Sequence, residues 1–251
     1  MATEPLFEYL LRLGDNGLIL GHRLSEWCGH GPVLEEDLAL TNVALDLIGQ
    51  ATLWLNLAGQ VEGSGRDADQ LAYLRDARAF RNLLLVEQPN GHFGHTIARQ
   101  LYFDAWYYLL LQGLTGSVNP QIAEIAAKSL KEVDYHRARS SEWVVTLGDG
   151  TEDSHDKMQE AIDDLWMYTG ELFEPDPVDQ ALLADGIAVD PTGLKGPWLH
   201  YLETVLEEAT LALPKASWMQ RGGKQGVHSE NLGFILADMQ FLQRAYPNAT
   251  W

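Results

Sequence analysis

Apolar side chains recur at every third or fourth position along most of this chain, and alternating β-branched runs are nearly absent. That spacing lets a helix bury one face, so the sequence predicts an all-α protein. Eight helices are expected: Tyr9 to Cys28, Glu36 to Gly59, Ala68 to Val86, His95 to Gly113, Pro120 to Leu147, Asp156 to Leu172, Trp198 to Leu211 and Leu232 to Ala245. Turn chemistry separates them, with Gly29-His30-Gly31-Pro32 after the first, Gln88-Pro89-Asn90-Gly91 after the third and Gly148-Asp149-Gly150 after the fifth. Between Phe173 and Pro197, Pro175, Pro177, Pro191 and Pro197 leave room for only a short helix from Pro177. The segment from Pro214 to Glu230 carries RGGKQG (Arg221 to Gly226), which lacks the spacing of a phosphate-binding P-loop. No long linker divides the pattern, and one domain over residues 1–251 is expected.

Charge narrows the partners. The chain has 36 acidic against 17 basic residues, a net charge of -19, which repels phosphate backbones and anionic lipid surfaces. Nucleic-acid and membrane binding are therefore not expected. The longest uncharged stretch, Ala105 to Ala123, is interrupted by Gln112, Gly113, Gly116, Asn119 and Pro120, short of the ~20 apolar residues a bilayer requires. Cys28 is the single cysteine, which excludes an internal disulfide or a four-thiolate metal site and fits a reducing cytoplasm. The start, Met1-Ala2-Thr3-Glu4-Pro5, has no basic and apolar leader, so a soluble cytoplasmic protein is expected.

The candidate chemistry is a metal centre. A helical bundle holds two iron ions when two helices each offer a Glu and two others each offer Glu-x-x-His, all directed inward. On the fifth expected helix, Ile122, Ile125, Ala126, Ser129, Val133, His136, Ser140, Trp143 and Leu147 fall on one stripe, so His136 faces the core. Val133 stands three residues before it, in the ligand slot, and Glu132 is four residues before it, able to hydrogen-bond the imidazole but out of register for shared ligation. On the second helix Asp46 is followed by Gly49 and Gln50, where a His would be required. Asp104 lies on the stripe of the fourth helix, and Glu26 is the acid available near the end of the first. The literal Glu152-x-x-His155 sits in a polar stretch that reads as a helix start capped by Ser154 or Asp153, and His92 and His95 lie in a glycine turn with no acid nearby in sequence. The donor set is too small for an iron pair, and Asp46 with Gln50, Glu132 with His136, and Asp104 read instead as a metal-free buried polar network. No nucleophile elbow or dinucleotide fingerprint is present.

Longer stretches carry a resemblance. RLGDNGLILGHRLSEWCGHGPVLEEDLALTNVALDLIGQA (Arg12 to Ala51), FRNLLLVEQPNGHF (Phe80 to Phe93), TIARQ (Thr96 to Gln100), DAW (Asp104 to Trp106), KEVDYH (Lys131 to His136), GIAVDP (Gly186 to Pro191), RGGKQGVHSENLG (Arg221 to Gly233) and MQFLQR (Met239 to Arg244) are together similar to the C-subunit family of bacterial phenylacetyl-CoA epoxidases. The resemblance implies a ferritin-like helical bundle with additional helices and a degenerate metal site at Asp46, Gly49, Gln50, Asp104, Glu132, Val133 and His136. It implies no catalytic residue and no cofactor in this chain. The di-iron centre belongs to a catalytic A subunit, and a reductase subunit with flavin and iron–sulfur groups brings electrons from NADPH. The expected partners are that A subunit and the other subunits of the complex. The resemblance also implies contacts to phenylacetyl-CoA at Ala79, Phe80, Arg81, Asn82, Gln180, Ala181 and Leu182. Arg81 could meet a phosphate, with a solvent-facing helix residue as the plainer alternative. Two further readings stay open: an oxidase with its own metal on Glu26, Asp46, Asp104, Glu132 and His136, and a free-standing acyl-CoA-binding protein.

Overall fold

The computed structural model describes residues 3–215, 218–247 and 249, and every regular element among them is helical. The elements are α1 (Thr3–Ser25), α2 (Leu34–Glu62), α3 (Ala68–Tyr73), α4 (Phe93–Leu114), α5 (Pro120–Gly148), α6 (Glu152–Trp166), α7 (Pro177–Ala184), α8 (Pro191–Glu208) and α9 (Glu230–Ala245), with short 3-10 turns at Ala77–Ala79, Leu84–Glu87, Gly170–Phe173 and Gly223–Gln225. They form two compact units, Met1–Pro89 with Gly222–Trp251, and Asn90–Arg221.

In the first unit α1 lies along α2 and α9 packs on α1 and α3. Small residues allow the α1 and α2 backbones to approach closely. A Cβ on Gly17 would stand 2.9 Å from the Leu47 carbonyl oxygen, so only a residue without one fits. By length and composition α2 could cross a membrane, yet 44% of its most apolar window is buried within the protein.

The expected third helix to Val86 is a correction. It stops at Tyr73 because side chains of α1 take the backbone donors that a longer helix would use. Asp15 accepts from the Arg81 amide (2.8 Å) and Asn16 from the Leu83 amide (2.8 Å). Arg75, buried at the bend, pairs with Asp15, donates to the Ala79 carbonyl (2.9 Å) and lies 4.3 Å from the centre of the Phe80 ring. Residues 74–88 are therefore an irregular strap held down by buried charge.

In the second unit α4 packs against α5, α6 and α8. Asn119 caps α5, accepting from the amides of Gln121 (3.0 Å) and Ile122 (3.3 Å), and Pro120 supplies a preset first turn. An aromatic core of Tyr102, Trp166, Phe173 and Trp198 fixes the other helices. Within it the Tyr102 hydroxyl donates to the Ile162 carbonyl (2.8 Å) and the Trp198 indole to the Tyr102 carbonyl (3.0 Å). The short helix from Pro177 forms, capped by Asp176. The helix expected from Trp198 begins earlier, at Pro191 behind an Asp190 cap, and runs through Pro197. Thr151, rather than Ser154 or Asp153, caps α6, with Ser154 closing the reciprocal bond.

Candidate functional site

Asp104, on α4, is 1% exposed, and on α5 Val133 is fully buried with His136 1% exposed, so the expected inward stripe holds through the middle of the helix. Toward the C-terminal end the buried positions are Val144 and Gly148, each one residue beyond the expected Trp143 and Leu147. Asp104 Oδ1 accepts from Gln100 Nε2 at 3.4 Å. Oδ2 is buried without a donor while the Ser140 hydroxyl, within reach of the carboxylate, turns to the Arg137 carbonyl at 3.2 Å. Burial pushes the Asp104 pKa up to about 6, against the opposing pull of His136, Ser140 and Arg139. Glu132 is half-buried at the edge of the stripe.

In the first unit Asp46 is half-buried and Gln50 buried, whereas Gly49 is exposed with open space beyond its Cα. The position three residues after Asp46 thus looks outward. Glu26 lies exposed in the turn beyond α1, where Arg23 Nη1 donates to it at 2.8 Å. These residues do not fit a pair of iron ions. A valine fills one ligand slot, a glycine faces away at another, and among the described residues no group of three or more His, Cys, Asp or Glu could hold a metal ion.

The Ala79 to Asn82 segment belongs to the strap of the first unit, and Gln180 to Leu182 to α7 of the second. Gln180 and Ala181 are exposed and Leu182 is buried. Phe80 and Asn82 are fully buried, Ala79 is half-exposed, and Asn82 Nδ2 donates to Glu87 Oε2 at 2.9 Å. Arg81 is committed: its Nε donates to Glu8 at 2.6 Å and its Nη1 to the carbonyls of Arg78 (2.9 Å) and Phe80 (3.0 Å).

Two pairings are not legible in the sequence, that of His228 with Glu87 and that of His95 with Asp164. In the first unit His228 Nδ1 meets Glu87 Oε2 at 2.8 Å and its Nε2 meets the Phe80 carbonyl at 3.1 Å. Glu87 Oε1 accepts from the Ser229 amide at 2.7 Å. Both ring nitrogens therefore face acceptors, which only the imidazolium satisfies in full. Burial lowers the His228 pKa, but the hydrogen bond and charge of Glu87 and the Phe80 carbonyl outweigh it, leaving the group raised. In the second unit His95 Nδ1 lies 2.9 Å from His92 Nε2 and its Nε2 3.3 Å from Asp164, an acid 69 positions away. No sequence signal joins the first cluster, because spacing cannot pair positions 141 apart.

The class is that of all-α helical bundles, here with a buried acid on α4 and a buried imidazole on α5. The sequence model of the family described as "Phenylacetic acid catabolic protein" matches residues 1–251, and the chain belongs to that family. It is 52% identical over 248 residues to the C subunit of 1,2-phenylacetyl-CoA epoxidase from Escherichia coli (strain K12), an alignment covering 99% of this chain and 100% of the relative.

Proposed function

We propose that the chain is the non-catalytic, structural subunit of a multicomponent phenylacetyl-CoA epoxidase acting in aerobic phenylacetate breakdown in the cytoplasm. The observation that carries this reading is the likeness to a protein whose name is that of a subunit, over nearly the whole of both chains. The geometry agrees. Val133 fills one coordinating slot as a packed apolar side chain, so the chain itself is read as carrying no iron and no catalytic residue. The di-iron centre is assigned to a catalytic A subunit, and the electrons to a reductase using NADPH, flavin and an iron–sulfur cluster. The role of this chain is then mechanical: it packs beside the A subunit, stiffens the helices bearing the iron ligands and borders the path of the CoA ester. A permanent pairing of two bundles of this size buries upward of ~2,000 Å².

Co-expression of the tagged chain with the A subunit tests the assignment. The two are expected to co-elute through a mild salt wash, with iron tracking the A subunit in elemental analysis. Separate elution, or close to two iron atoms in the chain purified alone, defeats the reading.

A further inference from the structure

Asp67, Asn119, Thr151, Asp176 and Asp190 cap α3, α5, α6, α7 and α8, and none of these side chains changes charge near neutrality. The cap of α4 is different. It is His92, whose Nδ1 accepts from the His95 amide at 3.4 Å. An imidazole nitrogen accepts only while it is unprotonated, so this helix start depends on a group that titrates near neutrality.

The partners assign both tautomers. With Nδ1 accepting, the proton of neutral His92 sits on Nε2, which donates to His95 Nδ1 at 2.9 Å. His95 then carries its own proton on Nε2, 3.3 Å from Asp164 Oδ2 on α6. The bonds run in one direction, from the cap to the carboxylate, and every ring nitrogen has a partner. A further proton can enter only at His92 Nδ1, which ends the cap, or at His95 Nδ1, which ends the bond between the rings. Two imidazolium rings with centroids 4.3 Å apart would also repel, and the positive end of the α4 dipole disfavours a cation in its first turn.

The turn is shaped around the two rings. A Cβ on Gly91, at φ 55, would stand 3.0 Å from His95 Cγ, and one on Gly94 would stand 2.9 Å from His92 Cε1, so each imidazole lies against a glycine. Phe93, between them, meets the uncharged Trp143 ring of α5 edge-on at 5.1 Å, and Arg99 holds Asn90 at 2.7 Å. Burial lowers the His92 pKa, with His95 and then Lys157 of α6 adding to the effect, against the opposing pull of Glu160 and Asp153 on the same helix.

We propose that His92, His95 and Asp164 form a pH-sensitive clasp that fastens the start of α4 to α6 and opens when the imidazoles take up a proton. Because the folded His92 binds its proton more weakly than the unfolded one, the clasp is fully fastened above 6.5 and is lost as pH falls through the lowered folded value. Asp104, further along α4, acts in the opposite sense, since its raised pKa favours the folded state at lower pH. The two effects are separable by sign.

Hydrogen exchange of the full chain, read by mass spectrometry and corrected for the intrinsic rate at each pH, tests the clasp. Between about pH 7.5 and about pH 5.5 the amides of residues 95–100 are expected to lose protection by about threefold to tenfold, and those of residues 126–136 on α5 by less than about twofold. In His92→Asn, which keeps a capping acceptor without a titrating group, the loss at residues 95–100 is expected to vanish. Nitrogen-15 NMR of the wild-type imidazoles at about pH 8 reads the tautomers independently of any variant, and both rings are expected to carry their proton on Nε2. Unchanged protection of residues 95–100 in the wild type, an equal loss in His92→Asn, or a proton on Nδ1 of His92 overturns the proposal.

Discussion

Asp104→Asn is expected to stabilise the chain, although it removes a charge that attracts His136 and Arg139. The folded carboxyl titrates at about 6 against a reference of 3.8, and this shift already includes those attractions. A raised acid binds its proton more tightly in the folded state, so stability falls as pH climbs from about 4 to about 6 and stays low above it. At about 1.4 kcal/mol per unit, the ionised carboxylate costs about 3 kcal/mol near neutrality. Asparagine keeps the shape and an acceptor for Gln100 Nε2 and carries no charge to bury. The gain over wild type should therefore be about 1–2 kcal/mol near pH 5 and widen to about 3 kcal/mol near pH 7.5. Urea unfolding followed by tryptophan fluorescence and by far-ultraviolet circular dichroism reads it, coincident transitions confirming that one free energy describes the event. A variant that is no more stable than wild type near pH 7.5, with a gap that does not widen with pH, refutes the claim that burial dominates at Asp104.

Two glycines give opposite signs. Gly17→Ala should cost about 1–3 kcal/mol by pushing a methyl against the Leu47 carbonyl, whereas Gly49→Ala, with open space around it on α2, should gain about 0.5–1 kcal/mol; melting curves of the two variants compare them directly. His228 supplies a second pH dependence. Its raised pKa means the Glu87 contact is fully stabilising below about 6.5 and is lost as pH rises through the folded value. His228→Gln should cost about 1.5–3 kcal/mol near pH 6 and less near pH 9, and an equal cost at both would show that charge plays no part.

The sequence by itself determined the helical class, most helix borders and the direction in which α5 faces, because these rest on local terms. Apolar spacing sets the buried stripe, with Val133 on it, and Asn119-Pro120 and Asp176-Pro177 mark helix starts. Tertiary structure decided what local terms leave degenerate. Ala68 to Val86 has helical periodicity, but Asp15 and Asn16 capture its amides from 66 or 67 positions away, and a buried ion pair outweighs the propensity of a few turns. The same holds for charge. Arg78 and Arg81 are indistinguishable as letters, and only folding brings Glu8 to one of them while leaving the other facing a cavity, since long-range pairing depends on which distant segments the core brings together.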